Sequence, residues 1–329
     1  MKKIGLVAST NGLGHARRIL HIAIGFIDIG HEITLFITKN QALHLRAEIS
    51  KLKFNLNLVE IKNHGLDGPA WFKNGASFQI PSKNVISKLR ECDFILSDNL
   101  TWPFVYNNNF GLIGHFYWHD YWQKTENLLS SKLFGVFERD FEYLLQIPLA
   151  FQFEKFILYP RHFSNKVMIK LPKYYSDIKV QKKLRNKLDT KQVWLSKGTT
   201  GLWKEFESNS KILKKFSVLE QETYRLGESK NKPKLVIGRP GLGTIRDCLA
   251  AGIPFFPIWN KKDPELNSNV NHLINLGLNS HELLMQENLD VAIEYFLSEK
   301  PLLDQWEGIW SNLSVDLQEL CLTILSNFK

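Results

Sequence analysis

At 329 residues and 44% hydrophobic content, the chain has material for two cores of ordinary size. A formal net charge of +9 and an isoelectric point near 9.2 call for anionic company: a nucleotide, an anionic membrane surface or nucleic acid, against the plain alternative of a lysine-rich background. The three cysteines, Cys92, Cys248 and Cys321, are odd in number and fit no metal spacing, so a reduced cytoplasmic protein is expected. The apolar run after Met1-Lys2-Lys3 stops at Ala8, too short for a signal peptide, and no run reaches transmembrane length.

Ile4 to Ala8 reads as a buried strand and Ser9 to His15 as a loop. A helix follows over Ala16 to Ile29, with Ile19, Ala23, Ile24 and Ile27 apolar and Gly30 as its stop. Glu32 to Thr38 is the next strand, which makes a βαβ start and implies a right-handed crossover in a parallel sheet. The loop is no dinucleotide fingerprint, because Arg17 stands where a third glycine would be. His15 heads the helix. It either caps and fills space there or uses its imidazole to take the proton of a hydroxyl. Arg17 and Arg18 face phosphate or solvent, with solvent expected for at least one.

The alternation continues through a helix over His44 to Lys53, a strand over Leu56 to Ile61, an aromatic-bearing loop over 63–80, a helix over Val85 to Arg90 and a strand over Phe94 to Leu96. Asp98 stands just past that strand, where open α/β sheets hold ligands. It could serve the site or cap the next helix. Gly111 to Tyr117 is a further strand, and Trp118-His119-Asp120 after it suits an acceptor pocket, with His119 and Asp120 a rival acid–base pair. A helix over Phe134 to Leu145 and a strand over Phe156 to Tyr159 complete a doubly wound domain. Basic residues then dominate from Arg161 to Lys191, broken by Pro172, and divide the chain into domains 1–175 and 176–329.

The second domain opens with a strand over Val193 to Ser196, the loop Gly198-Thr199-Thr200 and a helix over Leu202 to Phe216. The segment from Phe216 to Lys234 is short and polar. The stretch KLVIGRPGLGTIRDCLAAGIPFFPI, Lys234 to Ile258, is the most legible part of the chain. It gives a strand over Leu235 to Ile237, a glycine loop, a helix from about Thr244 stopped by Gly252 and Pro254, and a strand over Phe255 to Ile258. Ile245, Cys248 and Leu249 share one helix face, with Arg246 and Asp247 pointing elsewhere. The helix head leaves backbone N–H groups free, an arrangement that suits phosphate. Helices are expected over Val270 to Leu276 and Leu289 to Leu297, and a long, kinkable one over Leu302 to Phe328.

Arg239 to Pro254 resembles the donor-binding half of GT-B glycosyltransferases, most closely the UDP-sugar-dependent family that includes the lipid II N-acetylglucosaminyltransferase. Asn11 to Arg18 is similar to the glycine-histidine loop after the first strand of that class. The resemblance implies two Rossmann-like doubly wound domains facing across a cleft, with the C-terminal helix crossing back to the first. It implies His15 as catalytic base, oriented by Asp98. The donor diphosphate would be held by Gly14, Gly198, Thr199, Thr200, Arg239, Gly241, Leu242, Gly243 and Thr244, and the ribose by Asp247. Asn269 fits the family's asparagine, whereas Glu265 and Leu266 stand where relatives carry glutamine, so the sugar is open. Trp118, His119 and Asp120 would face the acceptor. No Asp-x-Asp motif is present, so a metal-independent, inverting transfer to a carbohydrate or lipid-linked hydroxyl is expected, with no cofactor beyond the nucleotide sugar. The alternatives are a nucleotide-sugar hydrolase of the pseudaminic-acid type, with water as acceptor, and a non-catalytic nucleotide-sugar or nucleic-acid binder. Aromatic-interleaved RNA motifs are absent, which counts against nucleic acid. Peripheral contact with the inner face of an anionic membrane is compatible with the charge.

Overall fold

The computed structural model describes residues 1–52, 56–62, 80–118, 120–121, 131–158, 163, 165–174, 188–196, 213–221, 223, 226, 232–279, 289–298 and 302–328. It forms two compact units: Met1–Pro172 with Asp316–Lys329, and Lys173–Val315.

The first unit is built on a parallel sheet of seven strands in the order β3-β2-β1-β4-β5-β6-β7. These are β1 (Lys3–Val7), β2 (Glu32–Ile37), β3 (Leu56–Glu60), β4 (Phe94–Asp98), β5 (Phe110–Gly114), β6 (Leu149–Phe153) and β7 (Lys166–Ile169). The central strands are buried on both faces, which explains their continuous apolar runs. One face carries a core of Val7, Phe36, Val85, Leu89, Ile95, Phe110, Leu112 and Trp102. The other is covered by helix α1 (Gly12–Asp28), on which the helix Leu317–Ser326 packs. That second contact is close. A Cβ on Gly25 would lie 2.7 Å from both Leu317 Cγ and Cys321 Sγ. Phe328 stacks on Phe94 with ring centroids 4.0 Å apart.

Several elements differ from the sequence reading. Helix α1 starts at Gly12, not Ala16, so His15 sits within its first turn rather than in a loop. Gly12 takes φ +78°, a turn that glycine alone makes cheaply and that lets the helix begin early. The sixth strand is Leu149–Phe153, not Phe156 to Tyr159. Phe156 has φ +62°, which no strand accommodates. The long C-terminal helix is two helices, Leu302–Leu313 and Leu317–Ser326, parted by β13 (Ser314–Asp316). The short strands β8 (Leu171–Lys173) and β13 fall where the chain passes from one unit to the other.

The second unit holds a parallel sheet in the order β10-β9-β11-β12, with β9 (Leu188–Ser196), β10 (Ser217–Gln221), β11 (Lys232–Gly238) and β12 (Phe255–Pro257). Strand β10 falls in the segment read as merely short and polar. Its side chains are half-exposed or exposed, so it shows no apolar run. The helix after β11, Leu242–Ala251, ends at Gly252 with φ 63°, the left-handed cap expected there. Arg246 and Asp247, expected to point away from the core, are buried along with Leu242, Ile245 and the residues from Cys248 to Ala251.

Candidate functional site

In the first sheet the strand order reverses between β1 and β4: the chain runs outward from β1 to β2 and β3, then returns to the other side at β4. Ligands of open α/β sheets bind outside the carboxyl ends of the strands at such a point. The residues there are the turn into α1 and the last residue of β4, which is Asp98.

Helix α1 places His15 and Arg18 three residues apart and so on one face. Both reach Asp98. His15 Nδ1 lies 3.1 Å from Asp98 Oδ1. Arg18 grips the carboxylate as a fork, Nε to Oδ2 at 3.0 Å and Nη2 to Oδ1 and Oδ2 at 2.7 and 2.6 Å. Asn99 Nδ2 adds a bond to Oδ1 at 3.2 Å. Asp98 is fully buried. Burial alone would raise its pKa, yet the Arg18 charge and then His15 overcome that and hold the carboxyl below the usual carboxylate range. The Arg18 guanidinium also lies 5.4 Å over the Phe153 ring.

The turn before α1 is fastened from beneath. Gln41 Nε2 donates to the carbonyls of Ser9 and Gly12 at 2.8 and 2.9 Å. Gln41 also closes a capping box with Thr38. Trp118 Nε1 donates to Ser9 Oγ at 3.3 Å, and its ring stands 6.3 Å from that of His15. Phe116 meets the imidazole edge-on at 6.5 Å. Trp118 and Asp120 are buried, and His119 lies outside the described residues. Gly14 has nothing within 4 Å of where a Cβ would stand. The sequence leaves Arg18 to phosphate or solvent and gives Gln41 and Asn99 no role. The signal was there for Gln41 alone, as Thr38 followed three residues later by Gln41 is a capping box.

In the second unit the order also reverses, between β9 and β11, and the glycine loop leaves β11 at that point. Gly241 caps the helix Leu242–Ala251 with no side-chain bond, and the first intrahelical amide bond is Ile245 N–H to the Gly241 carbonyl. Around Gly241 and Gly243 nothing lies within 4 Å of an added Cβ. Arg239 is half-exposed, with Nη2 3.6 Å from Asp263 Oδ2. Asp263 caps the following helix, Pro264–Asn275, by accepting from Leu266 N–H at 3.2 Å. Burial raises its pKa. Asn269 is buried and ties the loop down, Nδ2 donating to the Pro240 carbonyl at 2.9 Å. Asp247 is buried as well, accepting on Oδ1 from Arg246 and on Oδ2 from Thr223 Oγ1 at 3.0 Å. Arg246 lies 3.6 Å over Tyr174. Glu265 is partly exposed in the first turn of its helix. Gly198, Thr199 and Thr200 lie outside the described residues. Among the described residues no group of three or more His, Cys, Asp or Glu could hold a metal ion, and no helix is long and apolar enough to cross a membrane.

No family model and no curated protein matches the sequence. Solved structures match it in fold. LpCGTa in complex with UDP is similar with a TM-score of 0.66 and 12% identity, over 100% of this chain and 99% of that one. SsfS6, the Streptomyces sp. SF2575 glycosyltransferase complexed with thymidine diphosphate, gives 0.57 and 10%, over 99% of this chain and 100% of that one. MurG of Acinetobacter baumannii gives 0.55 and 12%, over 99% and 100%. The fold is therefore that of the GT-B glycosyltransferases, two Rossmann-like units in one chain.

Proposed function

We propose that the protein transfers a sugar from a nucleotide-diphosphate donor, a UDP-sugar in the first instance, to an acceptor hydroxyl, with His15 as general base. The observation that carries this reading is the His15–Asp98 pair at the switch point of the first sheet. A carboxylate on Nδ1 favours the proton there and leaves the Nε2 lone pair for the acceptor O–H. As that proton moves to Nε2, the acceptor oxygen forms its bond to the anomeric carbon and the bond from that carbon to the diphosphate oxygen breaks, with inversion. The free amides of Leu242, Gly243 and Thr244 and the Arg239 guanidinium are suited to the charge that develops on the leaving diphosphate. Gly14, Gly198, Thr199 and Thr200 are assigned to the same phosphates. Trp118, His119 and Asp120 are assigned to the acceptor side and Glu265 and Asn269 to the sugar side. Asp247, which accepts from Arg246 and Thr223, is assigned to the ribose hydroxyls. The matched structures that hold UDP and thymidine diphosphate support a nucleotide diphosphate as the ligand class.

Thermal-shift measurements against UDP-, dTDP- and GDP-sugars test the donor. A true donor at about 100 times its Kd stabilises by about 2.7 kcal/mol. Turnover then tests the base: His15→Ala should lower kcat by about 100- to 10,000-fold while the protein stays folded. Full turnover in folded His15→Ala overturns the mechanism. Stoichiometric release of free sugar and nucleotide with no acceptor present makes water the acceptor and the protein a hydrolase.

A further inference from the structure

Arg18 belongs to a pair of adjacent arginines, which charge alone would send to solvent. The structure instead leaves it 8% exposed with a fork of three bonds on one carboxylate. It also touches the imidazole, Nη2 to His15 Nδ1 at 3.1 Å. Nδ1 thus meets an acceptor, Asp98 Oδ1, and a donor, Arg18 Nη2, at the same distance, and it can serve only one of them. If Nδ1 carried its lone pair it would accept from Arg18, but the carboxylate lone pairs would then face it at 3.1 Å with no proton between. If Nδ1 carries the proton it donates to Asp98, and Nη2 satisfies itself on the two carboxylate oxygens, which are closer to it than the ring. The second arrangement leaves no repulsive contact. Among the described residues the imidazole is otherwise faced by the Phe116 and Trp118 rings.

We propose that Arg18 is a positioning residue: by holding Asp98 as a carboxylate inside the protein, it fixes His15 as the Nδ1–H tautomer and keeps the Nε2 lone pair free. Without Arg18, a fully buried carboxylate beside an imidazole has two ways to shed its uncompensated charge. It takes a proton and donates it to Nδ1, which leaves the other ring proton on Nε2. Or the imidazole takes a proton and pairs with it as a cation. Both routes put hydrogen on Nε2 and remove the base. The effect on turnover rests on the transferase reading. The tautomer does not.

The test is the 15N spectrum of His-labelled protein at neutral pH, with the His15 signals assigned by His15→Gln, in the wild type, Arg18→Met, Arg18→Gln and Arg18→Lys. The wild type should show Nδ1 protonated and Nε2 bare. Both neutral variants should show Nε2 protonated, with kcat at least about 100-fold lower and donor affinity within about threefold. The Arg18→Lys variant, which keeps the charge and gives up the fork, should restore the Nδ1–H tautomer and most of kcat. A wild-type spectrum with Nε2 protonated overturns the proposal without any variant. So does a folded neutral variant that keeps Nε2 bare. If no donor supports turnover in the wild type, the transferase reading fails alone and the tautomer result stands.

Discussion

Asp98→Asn leaves the Arg18 guanidinium buried beside a neutral amide. Removing one partner of a buried ion pair costs about 3–5 kcal/mol, because the remaining charge is desolvated without compensation. Two features put this case near the lower end: the Arg18 side chain keeps 10% exposure, and the new amide oxygen still accepts one of the fork's bonds. The expected loss is therefore about 3 kcal/mol. The first unit contains 172 residues to Pro172 and 14 from Asp316 to Lys329, 186 together. At that size about 2–4 °C of Tm accompanies each kcal/mol, so the unit should melt about 6–12 °C lower. Arg18→Met should cost a similar amount, since it strands the carboxylate instead. The double variant strands neither charge and should cost at least about 2 kcal/mol less than the sum of the two singles. Urea denaturation at pH 7, read by hydrogen exchange in β4 and α1, measures all three. A loss under about 1 kcal/mol for Asp98→Asn, or an additive cycle, would refute the claim that this pair is one coupled unit.

The same pair sets an acid dependence. The Asp98 carboxyl is held below its ordinary pKa against the pull of burial, so the unfolded chain takes up the proton first as pH falls. Its stabilisation is complete above about pH 4, the unfolded value, and is lost below it. The gap in Tm between the wild type and Asp98→Asn should narrow as pH drops from about 5 to about 3. Gly243→Ala adds a methyl with nothing within 4 Å, so Tm should hold while affinity for a nucleotide diphosphate falls at least about tenfold. Unchanged affinity would take the phosphates away from this helix head. Gly25→Ala drives a methyl to 2.7 Å from Leu317 and Cys321. Even after the gain in helix propensity it should cost about 1 kcal/mol or more and speed hydrogen exchange across Leu317–Ser326. Burial pushes the Cys92 thiol up to about 11 and those of Cys248 and Cys321 upward as well. A thiolate-specific reagent at about pH 7.5 should therefore label none of the three until the protein is denatured.

The stretch from Lys234 to Ile258 was legible because glycines and prolines punctuate it. Its strand, helix, left-handed Gly252 and second strand fall where those residues put them. The first strand-helix-strand unit was legible as well, although its helix begins at Gly12 and not Ala16, and Asp98 drew notice by its place at a strand end. What stayed hidden depends on partners distant in sequence. Arg18 reads as a solvent cation until a carboxylate eighty residues away is brought beneath it. Arg246 likewise reads as outward until Asp247, Tyr174 and Trp310 enclose it. The sixth strand was misplaced because Leu149–Phe153 and Phe156–Tyr159 are both apolar runs, and only the backbone turn at Phe156 separates them. Strand β10 carries no hydrophobic signal because it lies at the edge of its sheet with its side chains in solvent.

The Cys321 thiol lies 3.6 Å from the Ile22 carbonyl across 299 residues of chain, and Phe328 closes over Phe94. A ribosome delivers residues in order, at about 5–20 per second. The unit that holds His15 must therefore wait, its α1 face bare, until the helix Leu317–Ser326 has been translated, whereas Lys173–Val315 is contiguous and can settle first. The nascent chain thus carries a greasy, unfinished Rossmann half for tens of seconds, which makes that face the natural binding ground of a chaperone and the place where truncated products aggregate.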